Sequence, residues 1–156
     1  MTPPAHMCCK TTHMCRWKDQ LSSINFQSMP ETVKIFNLEE RTAVFGENVV
    51  TFCRTLKIDA VNQRLISQVV GAVGSIGANY CEATEAESKK DFIHKVTIAK
   101  KEIKETKHWL RLFVAAHPER KEEIVPFQKE AHELLLIFSK IIRSSKANRP
   151  IENSRI

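Results

Sequence analysis

The sequence contains little glycine and proline and no long apolar run. Only 4 of its 156 residues are Gly and 6 are Pro, and no proline falls between Pro30 and Pro118, so long helices can continue there without interruption. No apolar stretch approaches the roughly 20 residues that span a bilayer, and the first residues lack the continuous apolar segment of a signal peptide. These absences predict an all-α, cytoplasmic protein without a membrane segment.

The cysteines do not form a paired set. The sequence has five of them, and an odd number with three in the first fifteen residues is not typical of an extracellular disulfide framework. We expect free thiols, with Cys53 and Cys81 as small core residues rather than nucleophiles. The N-terminal His and Cys residues could hold a soft metal, but they contain no C-x-x-C pair and we predict no metal there. They are His6, Cys8, Cys9, His13 and Cys15.

The overall composition is that of one domain of ordinary size, with 42% apolar and 27% charged residues. Lys and Arg exceed Asp and Glu by 24 to 18, for a formal charge of +6. This excess permits contact with nucleic acid without demonstrating it. We divide the chain into a disordered or extraneous tail over 1–30, a four-helix bundle over 31–146 and a basic tail over 147–156.

Four segments have the apolar periodicity of amphipathic helices. The first begins after Asn37, which with Glu40 forms a capping pattern, the second begins near Asn62, and the third begins after Ser88. Pro126 is expected in the first turn of the fourth helix, because an interior proline costs about 3 kcal/mol. The predicted core seams are Leu38, Thr42, Phe45, Val49, Phe52 and Leu56; Leu65, Val69, Ala72, Ile76, Asn79, Ala83 and Ala86; Phe92, Val96, Ala99, Ile103, Thr106, Leu110 and Phe113; and Ile124, Phe127, Ala131, Leu134, Phe138 and Ile141.

The connections between these segments are short, which favours an antiparallel up-down-up-down bundle. The second helix contains Gly71, Gly74 and Gly77, and each glycine costs about 1 kcal/mol relative to alanine inside a helix. We therefore expect a neighbouring helix or bulky rings to pack closely there, with Gly74 opposite Phe45. The spacing is not that of a phosphate-binding loop, since no strand precedes it.

The third helix carries a second apolar series well round from its core seam, with large apolar side chains at its ends and carboxylates in the middle. A monomer normally leaves such a side polar, so we predict that this second seam mediates self-association. The consecutive apolar residues 134–138 of the fourth helix point in every direction and support this prediction. The alternative is a monomer with a few exposed apolar residues. The second seam consists of Ile98, Glu102, Glu105, Trp109 and Leu112.

Five cations share a narrow sector on the other flank of the third helix. Such a basic ridge can contact a nucleic-acid backbone independently of sequence, and its repetition around an oligomer would multiply a weak attraction. The alternative is a solvated helix face. The basic ridge consists of Lys89, Lys100, Lys104, Lys107 and Arg111.

Glu105 and His108 have the i, i+3 spacing of a carboxylate–histidine pair in di-iron bundles. A second pair is missing, because Lys129 stands three residues before His132. No hydrolase, P-loop or kinase motif is present. We therefore predict a non-enzymatic protein with no cofactor, and a bundle metalloprotein remains the third alternative.

Several stretches of the second and third helices resemble the four-helix-bundle family of 23S rRNA intervening-sequence proteins. They are RLISQ at 64–68, SIGANY at 75–80, EATEA at 82–86, SKKDFIHK at 88–95 and AKKE at 99–102, with Glu105-Thr106 and Trp109-Leu110. The resemblance covers about residues 36–146. It implies a left-handed up-down bundle, a homopentameric ring, no catalytic residue and a bacterial protein encoded within an insertion of a ribosomal RNA gene.

The resemblance extends to the accessory variability protein of diversity-generating retroelements, a pentamer that binds nucleic acid and a reverse transcriptase. By analogy it implies binding of ribosomal or other structured RNA, and a nucleic-acid enzyme as a further partner. The recurrent positions of the family match Asn79, Glu82, Glu102, Glu105 and Trp109. Buried carboxylates need partners, so we expect Glu102 and Glu105 to meet Lys, Arg or backbone donors of the same or a neighbouring subunit. The alternative to nucleic-acid binding is a protein-interaction scaffold.

Overall fold

The computed structural model describes residues 37–147. They form four helices and no strand, which confirms the all-α prediction. The helices are α1 (Leu38–Cys53), α2 (Ala60–Thr84), α3 (Lys89–Ala116) and α4 (Lys121–Ala147), and a 3₁₀ turn (Pro118–Arg120) precedes α4. The predicted tail over 1–30, with its histidines and cysteines, and residues 148–156 of the basic tail lie outside the described part of the chain.

Side-chain caps fix where the first three helices begin. The Asn37 side chain accepts hydrogen bonds from two backbone N–H groups of the first turn of α1, at 3.1 and 3.4 Å, and Ser88 Oγ accepts one at 3.1 Å in α3, as predicted. The start near Asn62 is wrong by two residues. Asp59 caps α2 instead, because its Oδ1 accepts from the backbone N–H of Asn62 at 2.8 Å, and the helix begins at Ala60.

The expected position of Pro126 is wrong. Helix α3 ends at Ala116 and is followed by His117 and Pro118. Pro118 starts the 3₁₀ turn, which leads directly into α4 at Lys121 and places Pro126 in the second turn of the helix. Its ring therefore removes one helical hydrogen bond close to the helix start. Because the 3₁₀ turn continues directly into the helix, α4 begins several residues before the first turn that the apolar pattern indicated.

The four seams form one core, so the periodicity prediction is confirmed for most positions. The exceptions are half-buried: Leu38, Asn79, Ala86, Phe92, Phe127 and Ile141. At the end of α4, Ile142 is buried in place of Ile141. A straight α-helix drifts by about 20° per heptad relative to a 3.5-residue repeat, and this drift moves the seam by one residue near the helix end. Leu136 is 57% exposed, as expected for a helix that is apolar on every side.

The glycine prediction is wrong for two of the three positions. A Cβ added at Gly71 or Gly74 would meet no atom within 4 Å, and only Gly77 has a neighbour, Thr42 Oγ1 at 3.8 Å. Gly71 and Gly74 are exposed on α2, while Phe45 is turned into the core. No close helix approach offsets their cost within the single chain.

Replacing Gly74 by alanine is therefore expected to stabilise the protein by about 1 kcal/mol, since alanine has the higher helix propensity and finds open space. Urea unfolding followed by circular dichroism measures this change. Gly77→Ala is the matched control in the same helix, where the added methyl meets Thr42 at ordinary van der Waals distance. A Gly74→Ala variant less stable than the parent would show that another surface covers this position.

Two polar networks that the sequence analysis missed join helices far apart in the chain. The Arg41 guanidinium on α1 donates to Glu130 at 2.6 Å and to Glu133 at 2.5 Å on α4. At one end of the helices, His117 Nε2 donates to the Oδ1 of buried Asn62 at 2.7 Å. These bonds link α1 to α4, and the start of α2 to the end of α3.

None of the helices between residues 37 and 147 is long and apolar enough to cross a lipid bilayer.

Candidate nucleic-acid interface

The basic ridge runs along the flank of α3 that faces α4. Lys89, Lys104 and Arg111 are exposed, and Lys100 and Lys107 are half-buried. Lys107 Nζ lies 3.0 Å from His132 Nδ1 on α4, and this contact shows that the ridge side of α3 is the side next to α4. Spacings of four, three and four residues from Lys100 to Arg111 keep these side chains within one sector at about 100° per residue. The structure thus places the five predicted residues along one line.

The contact with Lys107 also gives each nitrogen of the His132 ring a role. An ammonium group can only donate, so Nδ1 accepts in this contact and Nε2 is left as the donor. His132 is exposed, and Nε2–H is therefore a further donor beside the ridge. Sequence reasoning used His132 only to test for a metal site and did not place it here.

Three of the four carboxylates of α4 are paired with arginines and not with the ridge. Glu130 and Glu133 are ion-paired with Arg41 on the α1 side of the helix, and Glu123 accepts two hydrogen bonds from Arg120 at 2.7 and 2.8 Å. The hydrogen bond to Glu130 is the largest effect raising the pKa of Arg41, and Glu133 adds to it. The arginines Arg41 and Arg120 therefore occupy these three carboxylates on the side of α4 away from the ridge.

Within residues 37–147, no carboxylate lies within ion-pair distance of Lys100, Lys104, Lys107 or Arg111. Exposed cations without a fixed counterion hold diffusible anions, and a polyphosphate can displace these. These four side chains can therefore exchange diffusible counterions for a nucleic-acid backbone.

The second seam lies on the opposite flank of α3, next to α2. An ion pair between Lys95 and Glu82 of α2 marks this side. Ile98 is half-buried, and Leu112 is 38% exposed. Trp109 is partly buried against the core. The seam therefore has Leu112 as its exposed apolar residue, with Ile98 and Trp109 half-buried beside it.

The two carboxylates of the seam lack the expected cationic partners in the single chain. Glu105 Oε1 accepts from the indole Nε1 of Trp109 at 3.1 Å, instead of from Lys, Arg or the backbone. Partial burial, and next the charge of Glu105, raises the pKa of Glu102. Neither carboxylate forms an ion pair in the described part of the chain. The pair adds negative charge to a flank that is otherwise apolar.

The residues weighed for catalytic chemistry do not assemble into a centre. Glu105 and His108 are both exposed, and residues 37–147 contain no group of three or more His, Cys, Asp or Glu able to hold a metal. Cys53 is buried, as predicted, and burial raises the pKa of its thiol to about 11. Cys81 was expected in the core, but it is exposed, with Sγ 3.6 Å from Glu39 Oε1.

Comparison with known proteins connects this arrangement to one family. The family model described as 23S rRNA-intervening sequence protein matches residues 36–140. A crystal structure of a protein of unknown function from the S23 ribosomal protein family of Bacteroides thetaiotaomicron is similar, with 29% identity and a TM-score of 0.60. The match covers 68% of this chain and 98% of that one. No curated protein matches the sequence.

Proposed function

The chain belongs to the family of 23S rRNA-intervening sequence proteins, and from this premise we propose that it is a non-enzymatic, homo-oligomeric protein that binds RNA through the basic ridge. The observation that carries the proposal is the ridge itself: cations along one flank of α3, with Glu130 and Glu133 of the adjoining helix α4 paired with Arg41. The RNA is ribosomal or otherwise structured, the location is accordingly the cytoplasm of a bacterium, and a nucleic-acid enzyme is a further partner.

We propose an antiparallel up-down-up-down bundle with a left-handed twist. Two contacts support the alternating directions. His117 bonds Asn62, and Arg120 Nη2 donates to Thr55 Oγ1 at 2.8 Å, so the α1–α2 and α3–α4 connections lie together. A hairpin order brings these two connections to the same end.

We propose that the protomers form a pentameric ring and that the second seam is the subunit interface. The number five comes from the family resemblance, and the apolar side chains beside α2 support the choice of face. Each interface would cover Trp109 and Leu112, which are only partly covered in the single chain. A ring presents the basic ridge five times, so that contacts too weak singly add up on one RNA molecule.

Binding of a fluorescent ribosomal RNA fragment, followed by anisotropy across a salt series, tests the proposed activity. In a plot of log affinity against log salt concentration, each neutralised phosphate contributes about −0.9 to the slope. We expect a slope of about −4 or steeper, because the ridge has five cations. A matched DNA duplex is the control, and we expect RNA to bind more tightly. Absence of binding at low salt would overturn the proposal and favour a protein-interaction scaffold whose ridge is only solvated.

A further inference from the structure

A second line of basic side chains follows α4 beside the ridge. Lys121, His132 and Arg143 are separated by eleven residues each, which is about three turns of an α-helix, so they share one stripe. The contact between His132 and Lys107 places this stripe against the basic ridge. Lys121 and Arg143 are exposed. We call these three residues the α4 row.

The α4 row extends the ridge along the helix pair. Lys107 lies nine residues before the end of α3, and His132 lies eleven residues after the start of α4, and these two side chains are in contact. In antiparallel helices with this register, Arg143 lies level with Val96, between Lys89 and Lys100, and Lys121 lies beyond Arg111, near the turn that joins the helices. The α4 row thus adds one cation within the longest gap of the ridge and one at its end. Residues 89 to 111 span about 33 Å at 1.5 Å per residue.

The combined face offers no platform for base stacking. Proteins that bind single strands without sequence preference stack the bases on aromatic side chains. Every Phe, Tyr and Trp between residues 37 and 147 belongs to the core cluster or packs against it, and Trp109 lies on the opposite flank of α3. Phosphate contact is the interaction that these side chains can make, and double-stranded RNA is recognised mostly through its shape and through contacts to its phosphates and 2′-hydroxyls.

We propose that the basic ridge and the α4 row together form a two-row cradle for the backbone of double-stranded nucleic acid. The inference rests on the proposed function, since it names the form of nucleic acid that the same ridge binds. His132 contributes an Nε2–H donor, whereas Lys121 and Arg143 contribute charge. Glu123, Glu130 and Glu133 of the same helix are paired with Arg120 and Arg41.

The test compares a labelled RNA duplex of about two turns with one of its single strands, using the full chain at 0.1 M salt. We expect the duplex to bind more tightly. Arg143→Gln is expected to weaken duplex binding about eightfold. Each phosphate contact adds about 0.9 to the logarithm of the binding constant at 0.1 M salt relative to 1 M salt, and the variant loses one such contact. Lys57→Gln is the matched control, since it removes one charge from the exposed α1–α2 connection and should leave the affinity unchanged.

The outcomes separate the two proposals. If the parent protein binds neither RNA, the proposed function fails and the cradle fails with it. If it binds but prefers the single strand, or if Arg143→Gln binds duplex as tightly as Lys57→Gln, the cradle alone is overturned and the ridge remains. Circular dichroism melting of both variants excludes unfolding as the cause of a loss, because Arg143 and Lys57 are both exposed.

Discussion

Replacing Lys100, Lys104 and Lys107 together by glutamate is expected to lower the affinity for RNA at least about 500-fold at 0.1 M salt. Three lost phosphate contacts, each a factor of about eight, account for this value, and the three added carboxylates repel the backbone further. None of the three lysines belongs to the core. Anisotropy with the ribosomal RNA fragment measures the loss, and circular dichroism checks that the helices remain.

A matched triple variant separates the position of the charges from their number. Arg54, Lys57 and Arg64 are exposed on or near the α1–α2 connection, and their replacement by glutamate changes the net charge by the same amount. This control should retain most of the affinity. Equal loss in both variants would mean that net charge alone attracts RNA, and no loss in the α3 variant would identify the ridge as a solvated face.

Trp109→Ala is expected to convert the oligomer into single protomers. The indole is the largest side chain of the second seam and is only partly covered within the chain. Truncation of a central aromatic residue typically costs an interface about 2–4 kcal/mol, and a ring multiplies this loss over its identical interfaces. Light scattering at fixed protein concentration measures the change in mass.

Two further variants keep this prediction independent of fold stability. Leu112 and Val50 are each 38% exposed, but Leu112 lies on the second seam and Val50 lies on α1. Leu112→Glu should dissociate the oligomer as Trp109→Ala does, whereas Val50→Glu should leave it assembled. A Leu112→Glu variant that keeps the parent mass would refute the second seam as the interface.

The parts of the fold that depend on local chemistry could be predicted from the sequence. A capping side chain such as Ser88 acts within three residues, and helical periodicity places Val96 and Ile103 in the core whatever they contact. Gly74 and Pro126 were mispredicted because their environment depends on how neighbouring helices and turns approach, and no local pattern records that approach. Cys81 was assigned to the core for the same reason.

The candidate site likewise has a part that the sequence predicts and a part that depends on packing. The line of cations on α3 follows from angular position alone, so the ridge could be found in the sequence. Its contact with His132 spans 25 residues, and the pairing of Arg41 with Glu130 spans 89. Helix packing brings the partners of each contact together, and the charge pattern of the sequence alone does not specify which groups become partners. The eleven-residue spacing of the α4 row is a signal that could have indicated its place.

The cations of the basic ridge on one flank of α3 and the carboxylates of the second seam on the other flank give each protomer an electric dipole moment across the bundle. A polyanion acts on that moment before any contact forms, turning the basic flank toward itself and raising the association rate. In a closed ring, the components perpendicular to the symmetry axis cancel, and only the axial component survives. The assembled particle would therefore approach its ligand with one particular face of the ring leading.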